Sequence, residues 1–294
     1  MLLKFSSNLD KQEIWATGAE LTGIMGKSKE GGNLLVHIFE NPVLVTDNYR
    51  ISKLNPTLRD TLFAILNSRP RIVEYDDVSV HWDDSHKRVW SPSIDTILLA
   101  KTLRKILPAN PQIKSAIELG CGSGFISKYI LAKSDSLKTM VINDISPFAI
   151  KCAKDNISDT RADFREGDGL KELEGKTFDL ITCNPPYIPR PNSDASNPYE
   201  GIGILNYLVH NGQKHLNKGG IIVISMSNLS NDPVFNDPSE LVIKNVEEME
   251  VPLKINNILN NQEWMEYLQK HGLAKNYHDG YEYWHRIKTI ACRK

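Results

Sequence analysis

Lys114-Ser115-Ala116-Ile117-Glu118-Leu119-Gly120-Cys121-Gly122-Ser123-Gly124-Phe125 passes from an apolar run into three alternating glycines, and Ile126, Ile130 and Leu131 beyond it recur at helical spacing. The stretch reads as strand, glycine loop and helix. Such a loop lets a ligand approach the backbone closely, and the amino end of the following helix favours polar or anionic groups. The dinucleotide fingerprint Gly-x-Gly-x-x-Gly is not completed here. The clean spacing is Gly120-x-Gly122-x-Gly124 with Glu118 in front. Working outward, Thr139-Met140-Val141-Ile142-Asn143-Asp144 reads as a second strand. It ends in an acid about 20 residues past the glycines, a placement suited to a ribose diol. Gly167-Asp168-Gly169 follows, where an acid or amide can meet the exocyclic amine of an adenine.

Phe178-Asp179-Leu180-Ile181-Thr182-Cys183 then reads as a central parallel strand, and Asn184-Pro185-Pro186-Tyr187 caps its carboxyl end. Open α/β sheets place their chemistry at this end of their strands. Two consecutive prolines have no N–H and hold φ near −65°, so the backbone is fixed and its carbonyls are left to accept. An NH2 group fits such a place. The Asn184 side-chain oxygen and the Pro185 carbonyl would accept its two protons, and the Tyr187 ring would stack on the planar group that carries it. The bland alternative is a turn that closes a strand.

Taken in this order and spacing, Glu118 to Gly124, Asp144, Asp168 and Asn184 to Tyr187 resemble the class I S-adenosylmethionine-dependent methyltransferases that methylate an NH2 on a planar group. The closer resemblance is to the glutamine methyltransferases that act on peptide release factors. It rests on Asn143 to Ile150 with Lys154-Asp155-Asn156, on Asn184 to Pro189, on Glu200 to Leu205, and on Trp90-Ser91-Pro92-Ser93-Ile94-Asp95-Thr96. Bacterial members typically carry Arg after that proline, where this chain has Ser93. The resemblance covers roughly Val89 to Met226.

It implies an α/β fold, a Rossmann-like seven-stranded methyltransferase sheet with a small α+β amino-terminal region. The chain would divide into an accessory, substrate-recognition region at 1–88 and a methyltransferase domain at 89–294. The implied cofactor is S-adenosyl-L-methionine, held by Glu118, Gly120, Gly122, Gly124, Asp144, Ile145, Asp168, Gly169 and Asn184. Asn184, Pro185, Pro186 and Tyr187 would form the catalytic group. No metal is implied. The acceptor would be a glutamine in a protein such as a release factor or ribosome-associated protein. Two alternatives stand beside it: an exocyclic amine of adenine or guanine in DNA or RNA, and a non-catalytic cofactor-binding partner.

Composition sets limits on these readings. The 294 residues suffice for one α/β core with an accessory region. A formal net charge of −1 with 24% charged residues describes an ordinary surface with no polybasic tract. Through Ser85 there are nine basic residues against twelve acidic, a poor platform for a phosphate backbone. No run of about 18 apolar residues occurs and Met1 to Ser6 has no sustained apolar stretch, so the expected setting is cytoplasmic, without membrane contact. Cys121, Cys152, Cys183 and Cys292 are widely spaced, and none has metal-ligand spacing.

Before Val89 the pattern predicts a helix over Asp10 to Met25, strand-like structure over Asn33 to Val45, and a helix over Thr57 to Leu66 started by Asn55 and Pro56. A hairpin is expected from Arg71 to Trp82 and Lys87 to Trp90, reversing at Asp83 to His86. Toward the carboxyl end the expectations are a strand over Ile221 to Met226, a polar loop over Asn228 to Pro238 and a helix over Ser239 to Met249. A strand at Val251 to Ile255, a helix over Asn257 to His271 ended by Gly272, and a last strand over Tyr281 to Cys292 complete the series. The helix over Asn257 to His271 reads either as a surface elaboration or as a substrate-facing cap. His278, Tyr281, Tyr283, Trp284, His285 and Arg286 read either as strand packing or as a base-holding cluster.

Overall fold

The computed structural model describes residues 5–6, 13–16, 35–36, 71–82, 86, 88–90, 92, 94–191, 202–231, 234, 242–253, 255–278 and 281–293. The helix predicted over Thr57 to Leu66 lies outside them, as does Ser93. Among the described residues no helix is long and apolar enough to cross a membrane.

The chain forms a hairpin, β1 (Arg71–Tyr75) and β2 (Val78–Trp82), then helix α1 (Ile94–Ile106). Strand β3 (Ser115–Leu119), helix α2 (Phe125–Lys133), β4 (Thr139–Asp144), α3 (Pro147–Asn156), β5 (Ala162–Glu166), the short α4 (Gly169–Leu173) and β6 (Phe178–Cys183) follow. After α5 (Gly203–Asn211) come β7 (Leu216–Ser227), β8 (Val242–Pro252), α6 (Asn256–Leu259), α7 (Gln262–Lys270), β9 (Ala274–His278) and β10 (Tyr281–Arg293).

The main sheet runs β8-β10-β7-β6-β3-β4-β5, the expected seven strands, with β9 paired to β10 as a short eighth. Strands β5 to β7 along this path pair in parallel, and β10 enters antiparallel between β7 and β8. β3, β6 and β7 are almost wholly buried because helices cover both faces, which is why they read as apolar runs rather than alternations. One face packs Ile97 and Leu103 of α1 and Phe125 and Tyr129 of α2, together with Val73, Tyr75, Val78 and Val80 of the hairpin. The opposite face packs Leu173, Leu205, Leu208 and Val209.

Four expectations are corrected. Glu13–Ala16 is a strand, antiparallel to Phe5–Ser6 and parallel to Leu35–Val36, so the helix over Asp10 to Met25 does not hold there; β-branched and aromatic Ile14 and Trp15 suit a pleated surface. The β1–β2 hairpin reverses at Asp76-Asp77 and not at Asp83 to His86. Both aspartates have positive φ, 51° and 63°, the type I′ geometry whose twist matches the flanking strands. Val242–Pro252 is one strand, where a helix over Ser239 to Met249 and a separate strand at Val251 were expected. Its pairing with β10 shifts between Asn245 and Glu247, leaving Val246 as a bulge. The extra residue sets Ile243, Val246 and Met249 three apart, which mimics helical spacing. The expected helix over Asn257 to His271 is two helices, because the Asn261 side chain accepts from Trp264 N at 3.0 Å and starts α7 afresh.

Leu103 of α1 is fully buried in the core cluster on this face of the sheet. Leu103→Ala should cost about 2–5 kcal/mol in urea unfolding, with little change in the denaturant slope.

Candidate active site

Leu119 at the end of β3 lies beside Cys183 at the end of β6, yet the chain leaves β3 toward β4 on one side and leaves β6 toward β7 on the other. This is the point where strand order reverses, and the crevice there is the general ligand site of open α/β sheets. Both sequence-predicted loops start from it.

Gly120, Gly122 and Gly124 have φ of +71°, +52° and +81°, the left-handed region that side chains rarely tolerate. Gly124 has a second constraint, because a Cβ there would lie 3.0 Å from Ala153 on α3 and from Ile157 just past it. Gly120 faces open space. The loop is held from β4: Cys121 N donates to Asn143 O at 2.9 Å, and Asp144 Oδ2 accepts from Gly122 N at 3.0 Å while its Oδ1 accepts from Ser146 N at 2.9 Å. Burial raises the Asp144 pKa, and these backbone N–H groups oppose the rise. Asp144 thus ties the glycine loop to the amino end of α3.

Glu118 is 2% exposed. Its Oε2 accepts from Ser127 N at 2.8 Å and from the Ser127 hydroxyl, so it braces the first turn of α2. Burial pushes its pKa up to about 8. Asp168 is exposed and caps α4 through Leu170 N at 3.0 Å. A Cβ on Gly169 would lie 2.8 Å from Asn143 Oδ1, so the chain passes close by that side chain. Ile145 and Phe148 are exposed apolar groups just past Asp144, and Arg88 stands 4.8 Å over the Phe148 ring. Trp90 is 89% exposed, and its carbonyl would be 3.7 Å from a Cβ on Gly122.

On the other side of the crevice, Asn184 Oδ1 is buried and has no hydrogen-bond partner among the described residues; the same holds for the hydroxyls of Thr182 and Ser225. Thr182 is two residues before Asn184, and the pairing of Ile224 with Cys183 brings Ser225 level with Asn184 on the next strand. Pro185 is buried. The Tyr187 hydroxyl donates to Asp95 Oδ2 at 3.1 Å, and its ring packs against Leu98 and Val251. Burial first, and the Asp95 charge second, push the Tyr187 hydroxyl well above its ordinary range, so it stays a donor. Tyr187 is therefore tied down at both ring and hydroxyl. At Pro189 the carbonyl accepts from Trp264 Nε1 at 2.8 Å. Sequence reasoning met Asp95 only within a motif, and had no signal for Trp264, Thr182 or Ser225.

The aromatic and basic cluster of the last strand resolves as packing at its centre. Trp284 and His285 are buried, His285 Nδ1 and Ser227 Oγ share a 2.9 Å hydrogen bond, and burial lowers the His285 pKa to about 4. Cys121 and Cys183 are buried, and burial raises both thiols well above their ordinary range.

The parallel sheet with its antiparallel insertion, the glycine loop, the acid ending β4 and the orphaned Asn184 together define an S-adenosylmethionine-dependent methyltransferase of class I. The chain belongs to the methyltransferase small domain family, which matches residues 85–251, more than half of its length. It is 32% identical over 158 residues to a protein of Methanocaldococcus jannaschii named "Putative protein N5-glutamine methyltransferase", covering 50% of this chain and 76% of that one. It is 27% identical over 157 residues to the release factor glutamine methyltransferase of Aquifex aeolicus, covering 48% of this chain and 55% of that one. A ribosomal RNA large subunit methyltransferase G of Colwellia psychrerythraea is 37% identical over 87 residues, 28% of this chain and 22% of that protein. The match thus spans about half or less of these two bacterial relatives.

Glu118 yields a pH prediction. Its folded pKa, about 8, lies above the ordinary 4.5, so the folded state holds the extra proton. Its contribution to stability is full below pH 4.5 and is lost as pH rises through about 8. Glu118→Gln keeps an acceptor for Ser127 and should remove this part of the decline between pH 4.5 and 8, read from urea midpoints across that range.

Proposed function

We propose that this chain methylates the side-chain nitrogen of a glutamine in a protein, with a release-factor-type protein as the favoured acceptor. The observation that carries the reading is Asn184 Oδ1, a buried acceptor with no donor among the described residues, just past the carboxyl end of β6. Pro185 beside it can accept but not donate. Leaving such an oxygen unpaired costs about 1–3 kcal/mol, a deficit that a bound NH2 group would relieve. Two relatives named as glutamine methyltransferases support the same acceptor.

S-adenosylmethionine, when bound, supplies an activated methyl group on sulfur. The residues fit it: the positive-φ loop at Gly120, Gly122 and Gly124 is open at Gly120, and Asp144 stands at the strand end. Exposed Ile145, with Asp168 and Gly169, lies on the same rim. In this reading these residues hold the cofactor with Glu118 behind the loop, and Asn184 borders the cofactor while its side-chain oxygen serves the acceptor.

An amide nitrogen is a weak nucleophile because its lone pair is delocalised, and no side chain can usefully deprotonate it before attack. Positioning must therefore do most of the work. Asn184 and the Pro185 carbonyl would hold the two N–H groups and aim the nitrogen, and these hydrogen bonds strengthen as positive charge develops on it. Pro186 keeps the backbone rigid, and Tyr187, anchored on Asp95, fixes the end of the tetrapeptide. Residues 89–294 form the catalytic unit in this proposal, with 1–88 contributing to acceptor recognition. A cytoplasmic setting suits four cysteines that are all free and buried.

Asn184→Ala should lower the methyl-transfer rate about a hundredfold or more while the calorimetric affinity for S-adenosylmethionine changes little. Equal losses in both would make the tetrapeptide structural. Label transferred from tritiated cofactor should sit in protease-sensitive, nuclease-resistant material. Label found solely in nucleic acid would replace glutamine with a base amine and leave the methyltransferase standing.

A further inference from the structure

We propose that Trp264, on the helix inserted between β8 and β10, is a positioning residue for methyl transfer. It holds the Asn184–Pro189 segment in place from outside the sheet, and this rests on the reading of Asn184 as the acceptor-binding group.

The segment has an unusual structural need. Three of its six residues are proline and have no N–H, so ladder hydrogen bonds cannot hold it. It must be anchored through its side chains and carbonyls. One anchor is Tyr187 on Asp95. The other is the Pro189 carbonyl, which accepts from the buried Trp264 indole at 2.8 Å. Ile188 packs into the cluster formed by Leu229, Leu253, Ile258, Trp264 and Met265, and the Arg190 guanidinium covers the Trp264 ring at 5.1 Å. The insertion is itself tied to the sheet: Asn228, just past β7, donates to Gly272 O at 3.0 Å and accepts from Arg286 N at 2.6 Å. Helix α7 buries Trp264, Met265 and Leu268 against this cluster and leaves its other face exposed. It is a clamp whose buried face ends on the segment that carries Asn184.

A displacement of about 1 Å at a reacting group can cost a hundredfold in rate. Two substitutions remove the indole N–H and keep a ring: Trp264→Phe, and benzothienylalanine at 264, which replaces N–H with sulfur at nearly constant shape. For whichever folds with a melting temperature near the parent, the rate of label transfer from tritiated S-adenosylmethionine into extract protein should fall about tenfold or more. Calorimetric cofactor affinity should stay within about twofold. Hydrogen exchange at Tyr187, Ile188 and Arg190 should speed up about tenfold, while residues 115–124 keep their rates. Unchanged exchange at 187–190, or parental transfer rates despite faster exchange, would overturn the proposal. Exchange needs no acceptor and the rate is read as a ratio to the parent, so replacing glutamine by another acceptor would leave this test intact.

Discussion

The parallel pairing of β3 with β6, Leu119 beside Cys183, is the constraint on which the site depends. It sets two chemically unlike loops at one crevice. The loop from β3 is built from glycines whose positive φ leaves the backbone open on one side, and the segment from β6 is built from prolines that withhold their N–H groups. The first has an internal turn bond from Gly124 N to Cys121 O at 2.8 Å, and the prolines of the second have no N–H to give. Each is also held from elsewhere: by Asp144 and the β4 backbone for the first, by Asp95 and Trp264 for the second.

Buried polar groups divide the site into a braced half and an open half. Glu118 is satisfied by Ser127, Asn143 donates to the Arg165 and Gly167 carbonyls, and Asp144 has both oxygens engaged. These groups rigidify the side that would carry the cofactor. Across the crevice, Asn184 Oδ1 and the Thr182 and Ser225 hydroxyls have no partner among the described residues and lie on the same part of the sheet. In a core where nearly all buried polar groups are paired, such a local cluster of orphans calls for an explanation, and the proposed acceptor NH2 would supply a missing partner to Asn184.

The hairpin before the sheet is joined physically to the glycine loop and α2. Asn156 at the end of α3 accepts from His81 N at 2.7 Å, returns a bond to His81 O at 3.0 Å, and also donates to Ser123 O at 3.2 Å within the glycine loop. One amide joins β2, α3 and the loop. Tyr129 of α2 adds a second joint through its 2.7 Å bond to Asp76 in the hairpin turn.

The sequence by itself determined the strand, glycine loop and helix, the parallel strands β4 and β6, and the tetrapeptide at the end of β6, because these rest on local periodicity and on the backbone chemistry of glycine and proline. Its errors fell where local patterns compete with distant pairing. Val242 to Pro252 carries helical spacing, yet a bulge at Val246 lets it pair along β10, since only the assembled sheet offers that edge. The turn at Asp76-Asp77 reads as strand in the sequence, and the more polar run Asp83 to His86 reads as the reversal. Tertiary structure alone decided that Glu118 turns inward and that Tyr187 is anchored by Asp95, 92 positions away. It also decided that Trp264, 75 positions from Pro189, closes the segment. Such contacts depend on how the elements pack, and no periodicity in the chain encodes them.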